Sequence, residues 1–169
     1  MKIAILHDYF NKMGGGERLV LELAKSFDAD IYTGFVERNN TYPDINKLNV
    51  IELIKKPKNP FLRTIKLINA FSKLDISKEY DFFILSGTYS IYSSARHHPN
   101  LWYCHTPARW LYSQRDWFLS NSNLIKKIGL LILGLYVEPK DKKAVENIDK
   151  IVANSKNVAN RIKKYFILL

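Results

Sequence analysis

The chain reads as an α/β protein, an open and mostly parallel sheet with helices on both faces. Three observations predict this. Apolar runs without alternation, at residues 3–6, 81–87 and 100–104, suit strands buried on both sides. Stretches with apolar residues at helical spacing lie between them. Small or polar residues close the runs, and in open parallel sheets ligands sit in the crevice outside the carboxyl ends of the strands.

Taken in order, the first strand at 3–6 runs into His7 and Asp8 and then into Gly14, Gly15 and Gly16. Glycine there is expected to let the backbone take dihedrals closed to other residues. Leu19, Val20, Leu23, Ala24 and Phe27 then repeat at helical spacing, with Glu17, Arg18, Glu22 and Lys25 outward. A glycine turn feeding a helix amino terminus offers free N–H groups and the positive dipole end to a phosphate. The pattern is neither the spaced dinucleotide fingerprint nor the phosphate loop ending in Lys-Ser/Thr, so a plain flexible turn is the alternative.

A second strand is expected at 30–35 and a third at 49–53, running into Lys55, Lys56 and Lys58. Residues 61–74 form a helix with Phe61, Ile65, Ile68, Phe71 and Leu74 inside and Arg63, Lys66 and Lys73 outside. That basic side is either a solvated face or a contact for anionic lipid headgroups. The strand at 81–87 ends in Ser86 and Gly87, and the strand at 100–104 ends before His105, Thr106 and Pro107. His97 and His98 precede Pro99 and read as surface residues of a loop.

Segment 106–122 holds Arg109, Trp110, Tyr112, Arg115, Trp117 and Phe118, too polar for core and too aromatic for an idle loop. Its arginines suit phosphate, onto which a guanidinium forks. Its aromatics suit a sugar ring, a membrane interface or a second domain. Residues 124–136 form a helix apolar nearly all round, placed either in the core or at a membrane surface. A further helical turn or two at 141–147, a strand at 150–153 and a helix at 156–166 capped by Asn154 and Ser155 complete the chain. Cys104 reads as a small buried strand residue.

At 169 residues the chain fits one domain. Twenty-six Lys and Arg against 16 Asp and Glu give a net charge of +10, which favours polyanionic partners: nucleic acid, nucleotide phosphates or an anionic membrane. The basic residues are spread over several elements without a nucleic-acid-binding motif, so no nucleic acid is expected. The single cysteine excludes an internal disulfide and a cysteine-only zinc cluster, and fits a reducing cytoplasm. The amino terminus does not have the build of a signal peptide. The longest apolar run, 128–137, is about half of the roughly 20 residues that a spanning helix needs.

Three segments together resemble the amino-terminal domain of a family 4 glycosyltransferase: HDYFNKMGGGERLVLELAKSFDADIYTGF, LWYCHTPARWLY and VENIDKIVANSKNVANRIKKYF. They follow one another at family-like intervals across nearly the whole chain. The resemblance implies a doubly wound, Rossmann-like domain over 1–155, one half of a GT-B fold. The helix at 156–169 would then begin the crossover to a second, donor-binding domain that this sequence does not contain. It implies retaining transfer of a sugar from a nucleotide-diphosphate sugar to a glycan or lipid-linked acceptor, with no protein-bound metal and no cofactor beyond the donor substrate.

The same resemblance assigns His105 to the donor sugar as the catalytic residue. It lays Gly14, Gly15, Gly16 and Glu17 against donor phosphates and acceptor. His7, Asp8, Ser86, Thr106 and Arg109 fall in the same crevice as acceptor or phosphate contacts. His7 and Asp8 would either form a hydrogen-bonded pair near an acceptor hydroxyl or serve the loop alone. Expected partners are the acceptor and a separate donor-domain chain or a second copy. The expected place is the cytoplasm, peripheral at the inner face of the membrane. The alternative is a non-catalytic module that docks a separate donor-domain chain.

Overall fold

Burial on both sides makes the first strand the centre of the sheet. The computed structural model describes residues 1–166, and in it β1 (Ile3–His7) is buried along its whole length. Ile3 and Ile5 face one layer of core, Ala4 and Leu6 the other, as alternation along a strand requires. The remaining strands are β2 (Asp30–Thr33), β3 (Val50–Glu52), β4 (Phe82–Ser86), β5 (Asn100–Cys104) and β6 (Lys150–Ala153). All six pair in parallel in the order β3-β2-β1-β4-β5-β6. The chain winds outward from β1 to β3 and then returns to lay β4 on β1's other side. The carboxyl ends of β1 and β4 therefore flank the point where the winding reverses, the usual ligand crevice of such sheets.

The helices cover the two faces unequally. On one face α1 (Gly15–Phe27) packs Val20, Leu21 and Ala24 onto Ile3, Ile5, Ile31 and Ile84. The other face carries α2 (Pro60–Lys73), α4 (Leu124–Glu146), α5 (Lys156–Tyr165) and a 3-10 turn at Ser90–Arg96, around the fully buried Phe71, Phe83 and Trp102. The short α3 (Arg115–Ser120) lies against α4. Asn59 caps α2, accepting from the N–H groups of Phe61 and Leu62, and Ser155 caps α5 as expected, accepting from that of Val158. Asn154 takes a different part, its backbone N–H donating to the Cys104 carbonyl at 3.4 Å. Residues 167–169, the end of the terminal segment expected at 156–169, lie outside the described residues.

Three expectations are corrected. The helices expected separately at 124–136 and 141–147 are one helix of 23 residues, continuous through Pro139. His97 is not a surface residue. It is wholly buried, donating from Nδ1 to the Ser93 carbonyl at 2.8 Å and accepting the Ile76 N–H at Nε2 at 3.1 Å. Only its neighbour His98 is exposed, on the Asp149 carboxylate. The segment after Thr106 is partly core: Ala108 and Leu111 are buried, and Trp110 and Tyr112 pack against the same cluster. Cys104 is buried as expected, and burial pushes its thiol well up.

Candidate functional site

The end of β4 joins two histidines. His7 is the register partner of Ser86 across β1 and β4. Its Nδ1 donates to the Ser86 carbonyl at 2.9 Å. From the other side, His105 follows directly on β5 and sets its Nε2 3.0 Å from the Ser86 hydroxyl. Burial pushes His7 down to about 4, and the neighbouring His105 adds to this. Its Nε2 has no partner among the described residues. His105 is half-buried, and the loss of water holds its pKa below the ordinary histidine range. Both imidazoles are thus predominantly neutral at pH 7.

The start of α1 lies against His105. A Cβ on Gly16 would stand 3.3 Å from Cε1 and 3.4 Å from Nε2 of that ring. A Cβ on Gly14 would meet the Glu17 carboxylate, which folds back over the helix start, while Gly15 faces open space. The expected reason for glycine is therefore corrected: among the described glycines only Gly87 has a positive φ, and Gly14 has φ −103°. The turn needs glycine for close approach, not for left-handed backbone. Among the described residues no side chain caps α1, so the first N–H groups of the helix stay open beside His105.

His7 and Asp8 are not a pair. The Asp8 carboxylate accepts the N–H groups of Thr88, Tyr89 and Ser90 at 2.7, 2.7 and 3.0 Å. Burial raises its carboxyl to about 6, with a small push from Glu17, against the pull of those three donors. Gly87, at φ 128°, leaves the room that the Asp8 carboxylate fills. Thr106 turns its hydroxyl to the Pro107 carbonyl and accepts Arg161 Nη1 at 3.2 Å. Arg109 is exposed. Among the described residues neither Thr106 nor Arg109 hydrogen-bonds to His7, Ser86 or His105.

The structure thus unites His7, Ser86, His105, Gly16 and the open end of α1, and leaves Arg109 apart. The backbone amides at 88–90 and the Arg161 contact were not legible in the sequence; the only local signal was Gly87 at a strand end. Among the described residues no three His, Cys, Asp or Glu side chains are placed to hold a metal.

No protein-family model and no curated protein matches the sequence. Solved structures do. The fold is similar to that of a lipopolysaccharide outer core galactosyltransferase, WaaB, in its apo form, at 17% identity and a TM-score of 0.57. It is also similar to HepE of Anabaena, solved in complex with UDP and glucose, at 16% identity and a TM-score of 0.57. The likeness covers 98% of this chain but 42% and 41% of those two, so the chain spans about two fifths of their length. The fold is that of a Rossmann-like half of a GT-B glycosyltransferase.

Proposed function

We propose that the chain is the acceptor-binding half of a retaining glycosyltransferase of the family 4 type. It would pass a sugar from a nucleotide-diphosphate sugar to a glycan or lipid-linked acceptor. One observation carries this: a neutral histidine, His105, set on Ser86 and placed against the open amino terminus of α1. The helix start suits the donor diphosphate, and an imidazole suits a sugar hydroxyl and the positive charge that develops on the sugar ring. The two structural neighbours support it, one by its name as a galactosyltransferase and one by its UDP and glucose.

In this reading the bond from C1 to the diphosphate oxygen breaks and a bond from C1 to the acceptor oxygen forms. The acceptor's proton leaves with the nucleotide diphosphate. Ser86 holds the His105 ring, and His7 holds the strand end that carries Ser86. Asp8 shapes the crevice wall, since its carboxylate is occupied by three backbone N–H groups. The rest of the donor pocket comes from a second domain or a separate chain, and the work takes place in the cytoplasm at the inner face of a membrane.

The test is titration of isotope-labelled chain with a panel of nucleotide-diphosphate sugars, followed by transfer assays with and without membrane extract. Amide signals of Gly15, Gly16 and Glu17 and the His105 ring are expected to shift. Any transfer is expected to fall by about a hundredfold or more in His105→Ala. Donors that leave these signals in place, with a separate donor-domain chain still bound, would establish the non-catalytic docking module instead.

A further inference from the structure

The first three turns of α4 carry an apolar face that no other part of the described chain covers. Leu124, Ile125, Ile132 and Leu135 are 71%, 82%, 63% and 74% exposed, and Ile128 lies between them. At about 100° per residue these side chains fall within roughly one third of the helix circumference, one continuous stripe. Isolated apolar residues on a surface mean little, but a stripe of this size marks an interaction face. The surrounding charge selects the partner. No acidic residue occurs between Asp116 and Glu138, Lys126 and Lys127 are exposed on the same turns, and Lys140 Nζ lies 4.9 Å from the centre of the Tyr136 ring. An apolar face bordered by lysines and free of carboxylates matches an anionic bilayer.

A groove of about 300 Å³ runs between α2 and α4 beside the carboxyl ends of β1 and β4. Tyr9, Phe61, Tyr89, Trp110 and Phe118 form its aromatic walls, and its one cation is Arg63. The guanidinium sits 5.6 Å from the centre of the Tyr9 ring, and no carboxylate pairs with it among the described residues. Gly129 lets α4 close onto Phe61, where a Cβ would stand 3.3 Å from the ring. An apolar slot with one unpaired guanidinium suits a molecule with a hydrocarbon body and a phosphate head.

We propose that the outer face of α4 beds into an anionic bilayer and that the α2–α4 groove takes a phosphate-headed lipid from it, with Arg63 on the phosphate. Taking that lipid as the sugar acceptor rests on the transferase reading; the binding itself does not. The chain is sedimented with vesicles of phosphatidylcholine alone and of equal parts phosphatidylcholine and phosphatidylglycerol. Binding is expected only to the anionic vesicles. It should fall by about tenfold or more in Ile125→Ser/Ile132→Ser/Leu135→Ser, whose changes lie at exposed positions and leave the melting curve in place. Dodecyl phosphate below its micelle concentration should bind the wild type about tenfold more tightly than Arg63→Gln, whereas dodecanol should not separate the two.

Equal binding to both vesicles, or undiminished binding by the triple variant, overturns the membrane face. Dimers that the same variant dissociates, without vesicle binding, show that a second copy covers it. Dodecyl phosphate bound alike by wild type and Arg63→Gln overturns the groove. Loss of lipid binding while sugar nucleotides still shift Gly16 and His105 sinks this proposal alone; the reverse pattern sinks the transferase reading.

Discussion

A carboxylate that accepts three backbone N–H groups directs the loop that supplies them, and Asp8 does this for residues 88–90. Asp8→Ala leaves those donors without their partner and is expected to cost about 2–4 kcal/mol in urea unfolding. Gly87→Ala combines a strained φ with displacement of the same carboxylate and is expected to cost about 2 kcal/mol or more. Two buried groups give opposite pH signatures. His7 falls from 6.5 to about 4 on folding, so only the unfolded chain takes up its proton in that window. Its term therefore weakens the protein as pH drops from 6.5 to 4, by about 3 kcal/mol. Asp141, which accepts the Tyr92 hydroxyl at 3.0 Å, is raised by burial from 3.8 to about 6. The unfolded chain releases that proton first, so the Asp141 term weakens the protein as pH rises from 3.8 to 6. Asp141→Asn removes this term. Unfolding free energies from pH 4 to 8 should show the variant gaining on the wild type up to about pH 6 and running level above it.

Among the elements, α1 separates two roles of glycine. Alanine is the better residue inside a helix by about 0.5–1 kcal/mol, and Gly15 faces open space. Gly15→Ala is expected to raise the melting temperature, since the added methyl meets no part of the described chain. Gly16→Ala adds a methyl 3.3 Å from the His105 ring, so donor affinity should drop while the fold holds. Calorimetry and donor titration on the two variants separate the outcomes. In α4 the stretches expected as separate helices at 124–136 and 141–147 join through Pro139, whose ring removes one helical N–H and costs about 3 kcal/mol or more. The helix persists because Leu133, Val137, Ala144 and Val145 on either side are buried in the core. His97 shows the same limit on local reading. The run His97-His98-Pro99 has the composition of an exposed turn, yet the Ile76 N–H and the Phe83 ring, both distant in sequence, draw His97 inside.

The whole molecule carries a net charge of +10, and its ion pairs lie between partly or fully exposed side chains. Pairs of that kind contribute little, so self-repulsion of the surplus cations opposes the compact state. Melting temperature is expected to rise by a few degrees between low salt and about 0.5 M sodium chloride, as the Debye length contracts. A fall over that range would mean that attractive pairs dominate.

Unbroken apolar runs are what a strand buried on both faces requires, so the central strands β1 and β4 were determined by the sequence itself. So was the helix cap at Ser155, whose chemistry is local. The partly exposed edge strands β3 and β6 were marked only by short apolar segments between helical stretches. The tertiary structure alone decided the contacts between distant residues: His105 against Gly16 and Ser86, Asp8 on the amides at 88–90, and Arg161 on Thr106. It also decided which side of α4 met the core and which met solvent, since a helix apolar all round carries no local mark of its buried face. A one-dimensional pattern records which residues avoid water; only folding sets which of them meet.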